Sequence, residues 1–470
     1  MVKKLLSNSI IYAIGPQIPQ IVSLLMLPIL TPHLTSKDYG IYGVIMAYMA
    51  ALSALKDLGL AVVLSNTFYK LPNRYPFIWQ RIYGFISLWA IPLSLIFAFI
   101  IWIALPVSEK DNYLLIAGLY CLPVLVFDST KLIGAKYFQL KQTPIPAVTI
   151  NIVAAFAGIL SNLITIKYLK MGYLGWLISG FVIALYTFIP YLYIVFHKLK
   201  FKPNFDFNYK WLKRYLKISL PVLPHFYALF LLDSSDRLIL NWYKIPIEEI
   251  GIYNLGYTFG GYFAIVGFAL GNASGPMYIE LYAKKNEESD IQAKNLTFLM
   301  QIGILALGFS LALWLKEFFN LLIKNNELVI AYSMGVVILM SYTYRPIYSG
   351  SVSKLIFLEK TNQLWKLSFT AGVINIICNI IFIPIFGIWA AVLSTFAAMM
   401  FIGFRGYFLK EFKLNNSVDY KPWLWFLLIC GSTILVFLLK DINWIIKVFI
   451  TIGILGCLVP IFQRYRHLFS

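Results

Sequence analysis

The stretch "LTSKDYGIYGVIMAY" (34–48) has a close echo in "IPIEEIGIYNLGYTF" (245–259). Each contains Gly-Ile-Tyr, at 40–42 and at 251–253, with an acidic residue, Asp38 or Glu249, two places before the glycine. Each follows one apolar run and leads straight into another. Gly40 and Gly251 are expected to supply the flexible backbone of a tight outer turn. Tyr42 and Tyr253 are expected at the depth of a membrane–water interface. A joint written twice in one chain implies a structural unit written twice.

The composition says what kind of unit. Of 470 residues, 60% are hydrophobic, 17% aromatic and only 13% charged, where a soluble domain carries about a quarter charged. Apolar runs near or above about 18 residues recur along the chain, each long enough to cross a bilayer as a helix. They fall at roughly 9–30, 41–64, 82–105, 114–134, 145–166, 172–196, 218–242, 251–275, 295–315, 329–350, 367–386, 388–409, 422–439 and 444–462. Separating 367–386 from 388–409 rests on the short turn near "IPIFG". The first run is longer than a signal-peptide core and lacks a small-residue cleavage site, so a span rather than a cleavable signal is expected. The fold class is therefore an all-α polytopic membrane protein with about 14 transmembrane helices.

A net charge of +19 would suit nucleic acid on a soluble surface. With the N-terminus cytoplasmic, however, most of the 39 Lys and Arg residues fall in inner loops, as the positive-inside rule requires. The basic balance reports topology, and no nucleic-acid partner is expected. Cys121, Cys378, Cys430 and Cys457 lie far apart inside apolar runs. Without Cys/His spacing they support neither a disulfide framework nor a zinc site, and they are expected to be buried small hydrophobes. No GxxxxGK[ST] loop occurs, so no nucleotide-driven pump and no cofactor are expected.

A second correspondence joins "NLITIKYLKMGYLGWLIS" (162–179) to "NIIFIPIFGIWAAVLS" (379–394). Asn162 answers to Asn379, Gly172 to Gly387 and Ser179 to Ser394. A Pro-x-x-Pro at Pro16/Pro19 is matched more loosely by Pro221/Pro224. Spans one to six and seven to twelve thus read as copies of one six-helix lobe. Six is even, so both copies share an orientation and are expected to be related by a pseudo-two-fold along the membrane normal, around a central cavity. The domains expected are 1–196, the N-terminal lobe; 197–217, a basic cytoplasmic linker; 218–409, the C-terminal lobe; and 410–470, two extra helices. The linker, "HKLKFKPNFDFNYKWLKRYLK", groups Trp211, Leu212, Tyr215 and Leu216 beside Lys210, Lys213, Arg214 and Lys217. That suits a helix on the inner interface, its cations near anionic headgroups. It would serve as a topology anchor or as a collecting surface for an anionic lipid.

On these residues the chain resembles the polysaccharide biosynthesis (O-antigen or capsule repeat-unit) flippase family, within the superfamily that also holds the multidrug and toxin extruders. The resemblance is carried by "LTSKDYGIYGV", by "LKDLGLAVVL" (55–64), by "SLPVLPHFYALFLLDSSDRLILNWYKIPIEEIGIYNLGY" (219–257) and by "NIIFIPIFGIWAAVLS". It implies a MATE-like bundle in a bacterial inner (plasma) membrane, with both termini cytoplasmic. It also implies movement of a lipid-linked oligosaccharide on undecaprenyl pyrophosphate from the cytoplasmic to the outer leaflet. Membrane lipids and polysaccharide polymerase or ligase machinery are the partners implied.

Ionisable residues inside spans cost about 2.5–3.5 kcal/mol near a helix centre, so each needs a partner or a wet cavity. Lys56 and Asp57 are adjacent and point about 100° apart, so they are expected to face different neighbours. Asp128 and Lys131 are spaced for a pair, with Lys131 near enough to the inner end to snorkel. Asp233 and Arg237 have ion-pair spacing, which leaves Asp236 without a partner in its own turn. Arg345, in "SYTYRPIYSG", has no local anion and would suit a diphosphate headgroup. His225 reads as a packed neutral histidine or as a proton-linked group. Pro16, Pro19, Pro28, Pro221 and Pro224, with Gly256, Gly260, Gly261, Gly267, Gly271 and Gly275, are candidate hinges. The alternatives are a cation or drug antiporter of the same architecture and a lipid II flippase. A membrane-embedded glycan polymerase or ligase is opposed by the short outer loops, and no catalytic residue is assigned.

Overall fold

The computed structural model describes residues 18–464 apart from 207, 285 and 361. The N-terminal part of the first run, with Pro16, lies outside the described residues. Among the described residues the chain folds into helices: α1 (Ile18–Leu30), α2 (Ser36–Ser53), α3 (Leu60–Lys70), α4 (Tyr75–Ala104), α5 (Tyr113–Leu122), α6 (Asp128–Leu140), α7 (Pro144–Asn162), α8 (Tyr173–Tyr193) and α9 (Tyr209–Ser219). They continue with α10 (Leu223–Asp233), α11 (Ser235–Trp242), α12 (Ile247–Ala283), α13 (Glu287–Leu313), α14 (Leu315–Leu322), α15 (Asn326–Val329), α16 (Tyr332–Ser341) and α17 (Arg345–Phe357). The last are α18 (Asn362–Phe386), α19 (Ile388–Arg405), α20 (Lys410–Leu414), α21 (Pro422–Leu439) and α22 (Trp444–Arg464). Ten helical stretches among the described residues are long and apolar enough to cross a membrane, and two shorter apolar helices join them. This is a multi-pass, all-α membrane protein. The chain divides into two compact units, Met1–Tyr227 and Ala228–Ser470.

The Gly-Ile-Tyr joint is not a turn. Gly40 lies within α2 and Gly251 within α12, both buried. The turns come just before. In the first unit Thr35 and Asp38 form a reciprocal capping box that starts α2; in the second, Pro246 caps α12 with Glu248 and Glu249 in its first turn. The acidic residue is therefore a helix-start signal, placed where the helix dipole and free N–H groups favour negative charge. Tyr253 is fully buried within the protein, and the Tyr42 ring centroid lies 4.9 Å from that of Trp176.

The second correspondence holds at the level of backbone geometry. Gly172 and Gly387 each start the second helix of a hairpin, α7/α8 and α18/α19, with φ/ψ of 55/−132 and 57/−140. That region is open to glycine and strained for other residues. The split between spans eleven and twelve falls at Gly387, as expected.

Several expected spans are broken. The second is interrupted between α2 and α3, where Leu58 and Gly59 take positive φ. The seventh becomes α9, a 3-10 turn through Pro221 (Leu220–Val222), α10 and α11. The tenth is split by a 3-10 turn at Tyr342–Tyr344. By contrast, α12 runs unbroken for 37 residues through its glycines. A β-carbon on Gly256, Gly260 or Gly267 would come within 2.9 Å of Ala331, Ile338 or Arg345 respectively. These glycines let α16 and α17 approach α12 closely, which is a packing role.

Helix α9 does not lie free on an interface. Tyr215 is buried, and Trp211 and Leu216 pack with it against the cluster formed by Leu60, Leu64, Trp79 and Ile82 in the first unit. Lys210, Lys213, Arg214 and Lys217 stay exposed on its other side. The cysteines are free and not fully buried, with Cys457 exposed. On an all-apolar helix a small thiol is tolerated on a lipid-facing side as readily as in a core.

Candidate functional site

In the first unit, the break after α2 carries Lys56 and Asp57 away from each other. Asp57 turns to the start of α3, accepting from the N–H groups of Gly59 and Ala61 at 3.2 Å each, so its charge serves the helix N-terminus. Lys56 reaches the other way, and its Nζ lies 2.8 Å from Asp128 Oδ2. A single π-helical turn, Pro123–Phe127, immediately precedes Asp128. Such bulges interrupt the regular ladder and re-aim the residues that follow. Lys131 then meets the second oxygen of Asp128 at 3.5 Å. One carboxylate thus serves two ammonium groups. All three side chains remain between about a fifth and two-fifths exposed. They line a cavity of ≈ 370 Å³ together with Asp57, Ser53 and Ser129. Lys136 on α6, which no local spacing marks as a partner, lies within electrostatic reach of Asp57.

In the second unit, the ion pair expected between Asp233 and Arg237 is absent. The helix breaks at Ser234, and the Arg237 Nη1 donates to the backbone carbonyl of Asp233 at 2.7 Å. Its Nε donates to Asn254 Oδ1 at 2.8 Å, and the guanidinium lies 4.3 Å from the Tyr257 ring centroid. Arg237 therefore satisfies an orphan carbonyl at the break, which i,i+4 spacing alone does not foresee. Asp233 accepts instead from the Tyr257 hydroxyl at 3.1 Å. Asp236 does have partners, on other helices. It is fully buried and accepts from the Tyr253 hydroxyl and from Thr395 Oγ1 at 3.3 Å, while its Oδ1 has no hydrogen-bond partner.

Arg345 follows the 3-10 turn that separates α16 from α17. Gln301, buried on α13, clasps that turn: its Nε2 donates to Thr343 O at 2.9 Å and its Oε1 accepts from Ile347 N at 3.1 Å. The backbone groups freed by the break are thereby satisfied. The Arg345 guanidinium rests 3.7 Å from the Phe268 ring centroid and 5.4 Å from that of Tyr344. Its Nε is buried without a hydrogen-bond partner. It acts on Asp233 electrostatically, but among the described residues no carboxylate reaches ion-pair distance. His225 is exposed near Phe226, which removes the packed-histidine reading.

Three buried polar contacts were not singled out from sequence. Lys447, fully buried in the last helix, binds both oxygens of Glu317 at 2.8 and 2.9 Å. Lys354 pairs with Asp290 at 2.8 Å. The third is Gln301. Each is visible as a polar residue in or beside an apolar run, but its partner lies far along the chain. No group of three or more His, Cys, Asp or Glu able to hold a metal is present among the described residues.

No curated protein matches this sequence. The fold is similar to that of the lipid II flippase MurJ in an inward closed conformation, with a TM-score of 0.69 at 15% identity. That match covers 98% of this chain and 100% of that one. An inward-facing multidrug resistance transporter of the MATE family, in the MOP superfamily, is similar at a TM-score of 0.62 and 12% identity. It covers 84% of this chain and 96% of the other. The first is named a flippase and the second a transporter, and at such identities the likeness establishes the fold. The family model described as "Polysaccharide biosynthesis protein" matches residues 5–277, more than half of the chain, and the protein belongs to that family.

Proposed function

We propose that this protein moves a lipid-linked oligosaccharide, an undecaprenyl-pyrophosphate-linked repeat unit of a surface polysaccharide, from the cytoplasmic to the outer leaflet of a bacterial plasma membrane. Both termini are cytoplasmic, movement is by alternating access, and polymerase or ligase machinery takes the product. The observation that carries the reading is the cavity shared by Lys56, Asp128 and Lys131. Two ammonium groups share one carboxylate there, and Asp57 is committed to a helix start. Asp57 also lines the cavity, but its carboxylate is held by backbone N–H groups, which leaves the ammonium groups of Lys56 and Lys131 beside open space to meet the diphosphate of such a substrate. Within the second unit, Arg345, whose Nε is buried without a hydrogen-bond partner at a helix break, is a separate candidate contact for phosphate. Asp233, Asp236, Arg237 and His225 are assigned supporting roles.

A lipid II headgroup carries the same diphosphate chemistry and is the second reading. It is favoured by a fold match to a lipid II flippase that extends over 98% of the chain. The test uses purified protein in sealed vesicles and follows leaflet-to-leaflet movement of a labelled undecaprenyl-pyrophosphate oligosaccharide, with lipid II and an organic cation dye alongside. Oligosaccharide movement that falls with Lys56→Ala and with Arg345→Ala is the expected result. Undiminished movement in both variants would remove these residues from the substrate path. Dye movement without glycolipid movement would replace the flippase reading by an antiporter.

A further inference from the structure

The geometry points to a binding site for an anionic diacyl phospholipid in the seam between α19 and α21, on the outside of the second unit. Two cavities, ≈ 640 and ≈ 400 Å³, follow one another along this seam and share Phe396. The larger extends toward Trp389 at the start of α19, and the smaller ends at Arg405 and Pro422. Trp389 and Arg405 are sixteen positions apart on one helix, about 24 Å at 1.5 Å per residue. The groove is therefore long enough to accept acyl chains over the depth of one leaflet, about half of a ~30 Å hydrocarbon core.

Its lining is apolar almost throughout, and Arg405 is its only charged residue. Arg405 is exposed, and none of the ion pairs among the described residues uses it. Lys413 adds a second cation at the same end, its Nζ 5.6 Å from the centroid of Phe408, which also lines the groove. The acidic residues nearby are already engaged: Glu411 accepts from Gln363 at 2.7 Å, and Asp419 accepts from the Lys421 N–H at 2.8 Å. Trp423, 65% exposed, stands beside Phe408 and Phe426, where an interfacial aromatic is expected at headgroup depth. An apolar trough that ends in unpaired cations and an interfacial tryptophan complements two acyl chains below an anionic phosphate. This assignment does not depend on what the protein transports.

The experiment incubates the purified full chain with vesicles of phosphatidylglycerol and phosphatidylcholine in equal amounts, then reads retained lipids by native mass spectrometry. Wild type is expected to retain phosphatidylglycerol preferentially. Arg405→Gln should lower that retention about tenfold, the loss of roughly one charge-assisted contact. Ala397→Trp fills the groove from an exposed position and should lower retention of both lipids while the variant still purifies as wild type does. Equal retention of the two lipids, or wild-type retention by both variants, would overturn the assignment. So would a dimer that Ala397→Trp dissolves, which would make the seam a subunit interface. Preferential capture of polyprenyl phosphate over phosphatidylglycerol would also overturn it.

Discussion

The two units carry charge inside the membrane in opposite ways. In the first, Lys56, Asp128 and Lys131 stay partly exposed around a cavity. In the second, Asp236 and Arg237 are 0% and 7% exposed and are held by Tyr253, Tyr257, Asn254 and Thr395. The same residue types thus do different work. A pair that stays partly exposed beside a cavity can exchange its partner for a ligand. Charges sealed among hydroxyls and amides are committed to the fold, and removing one of them leaves buried partners stranded in low dielectric.

The largest effect expected is at the sealed network. Arg237→Ala leaves the Asp233 carbonyl and Asn254 Oδ1 without their donor and removes the buried charge that acts electrostatically on Asp236, and it should cost about 3–5 kcal/mol in reversible unfolding in mixed micelles. A cost as small as that of Lys56→Ala would erase the contrast between the units. Next comes Gln301→Leu, which keeps volume but frees a carbonyl and an N–H at the 3-10 turn before Arg345. A loss of about 1–3 kcal/mol is expected by the same unfolding measurement, with glycolipid movement falling further than stability explains.

Lys56→Ala reverses the balance. Its pair is partly exposed, so the stability cost is expected at or below about 1 kcal/mol, while movement of labelled glycolipid in vesicles should fall at least about tenfold. Asp128→Asn removes the competing carboxylate and should preserve movement. If both variants lost movement equally, the pair itself rather than the Lys56 ammonium alone would be what matters.

The matched glycines sharpen the comparison further. Gly172→Ala and Gly387→Ala both force a side chain into a positive-φ conformation, for about 1 kcal/mol. Only at Gly172 would the new β-carbon also lie 2.3 Å from Asp38 Oδ1, an oxygen that accepts from the Tyr173 N–H; at Gly387 it meets open space. The first variant should therefore be the less stable in the same unfolding assay.

The smallest effect concerns the loop before α22. Slight burial raises the Asp441 carboxyl, but hydrogen bonds from Lys316, Tyr332 and Lys440 outweigh it and hold the group well below its usual range. A depressed folded value means a contribution present above the unfolded value of about 3.9 and lost as pH falls through the folded one. Thermal midpoints in detergent should be flat from neutral pH to about pH 5 and decline below about pH 4. Asp441→Asn should shallow that decline slightly, since the side chain is 45% exposed.

The hairpin match shows what was legible. Gly172 and Gly387, read as equivalents from flanking residues, adopt the same backbone geometry because a helix start after a tight reversal requires it. The Gly-Ile-Tyr reading found the right place and the wrong cause. Asp38 and Glu249 begin helices, and the glycines lie inside them. Local spacing also misjudged Asp233 and Arg237, because the break at Ser234 moved the side chains out of register.

Hydrophobic run lengths by themselves determined the all-α, multi-pass class. A bilayer accepts little else, and about 20 apolar residues are a complete instruction for a span. Lys131 with Asp128, three residues apart, was likewise settled locally. Lys56 with Asp128, Asp236 with Thr395, Gln301 with Thr343 and Lys447 with Glu317 were decided only by tertiary structure. Each joins residues from separate helices, and which helix faces a buried charge depends on packing between spans rather than on any one of them.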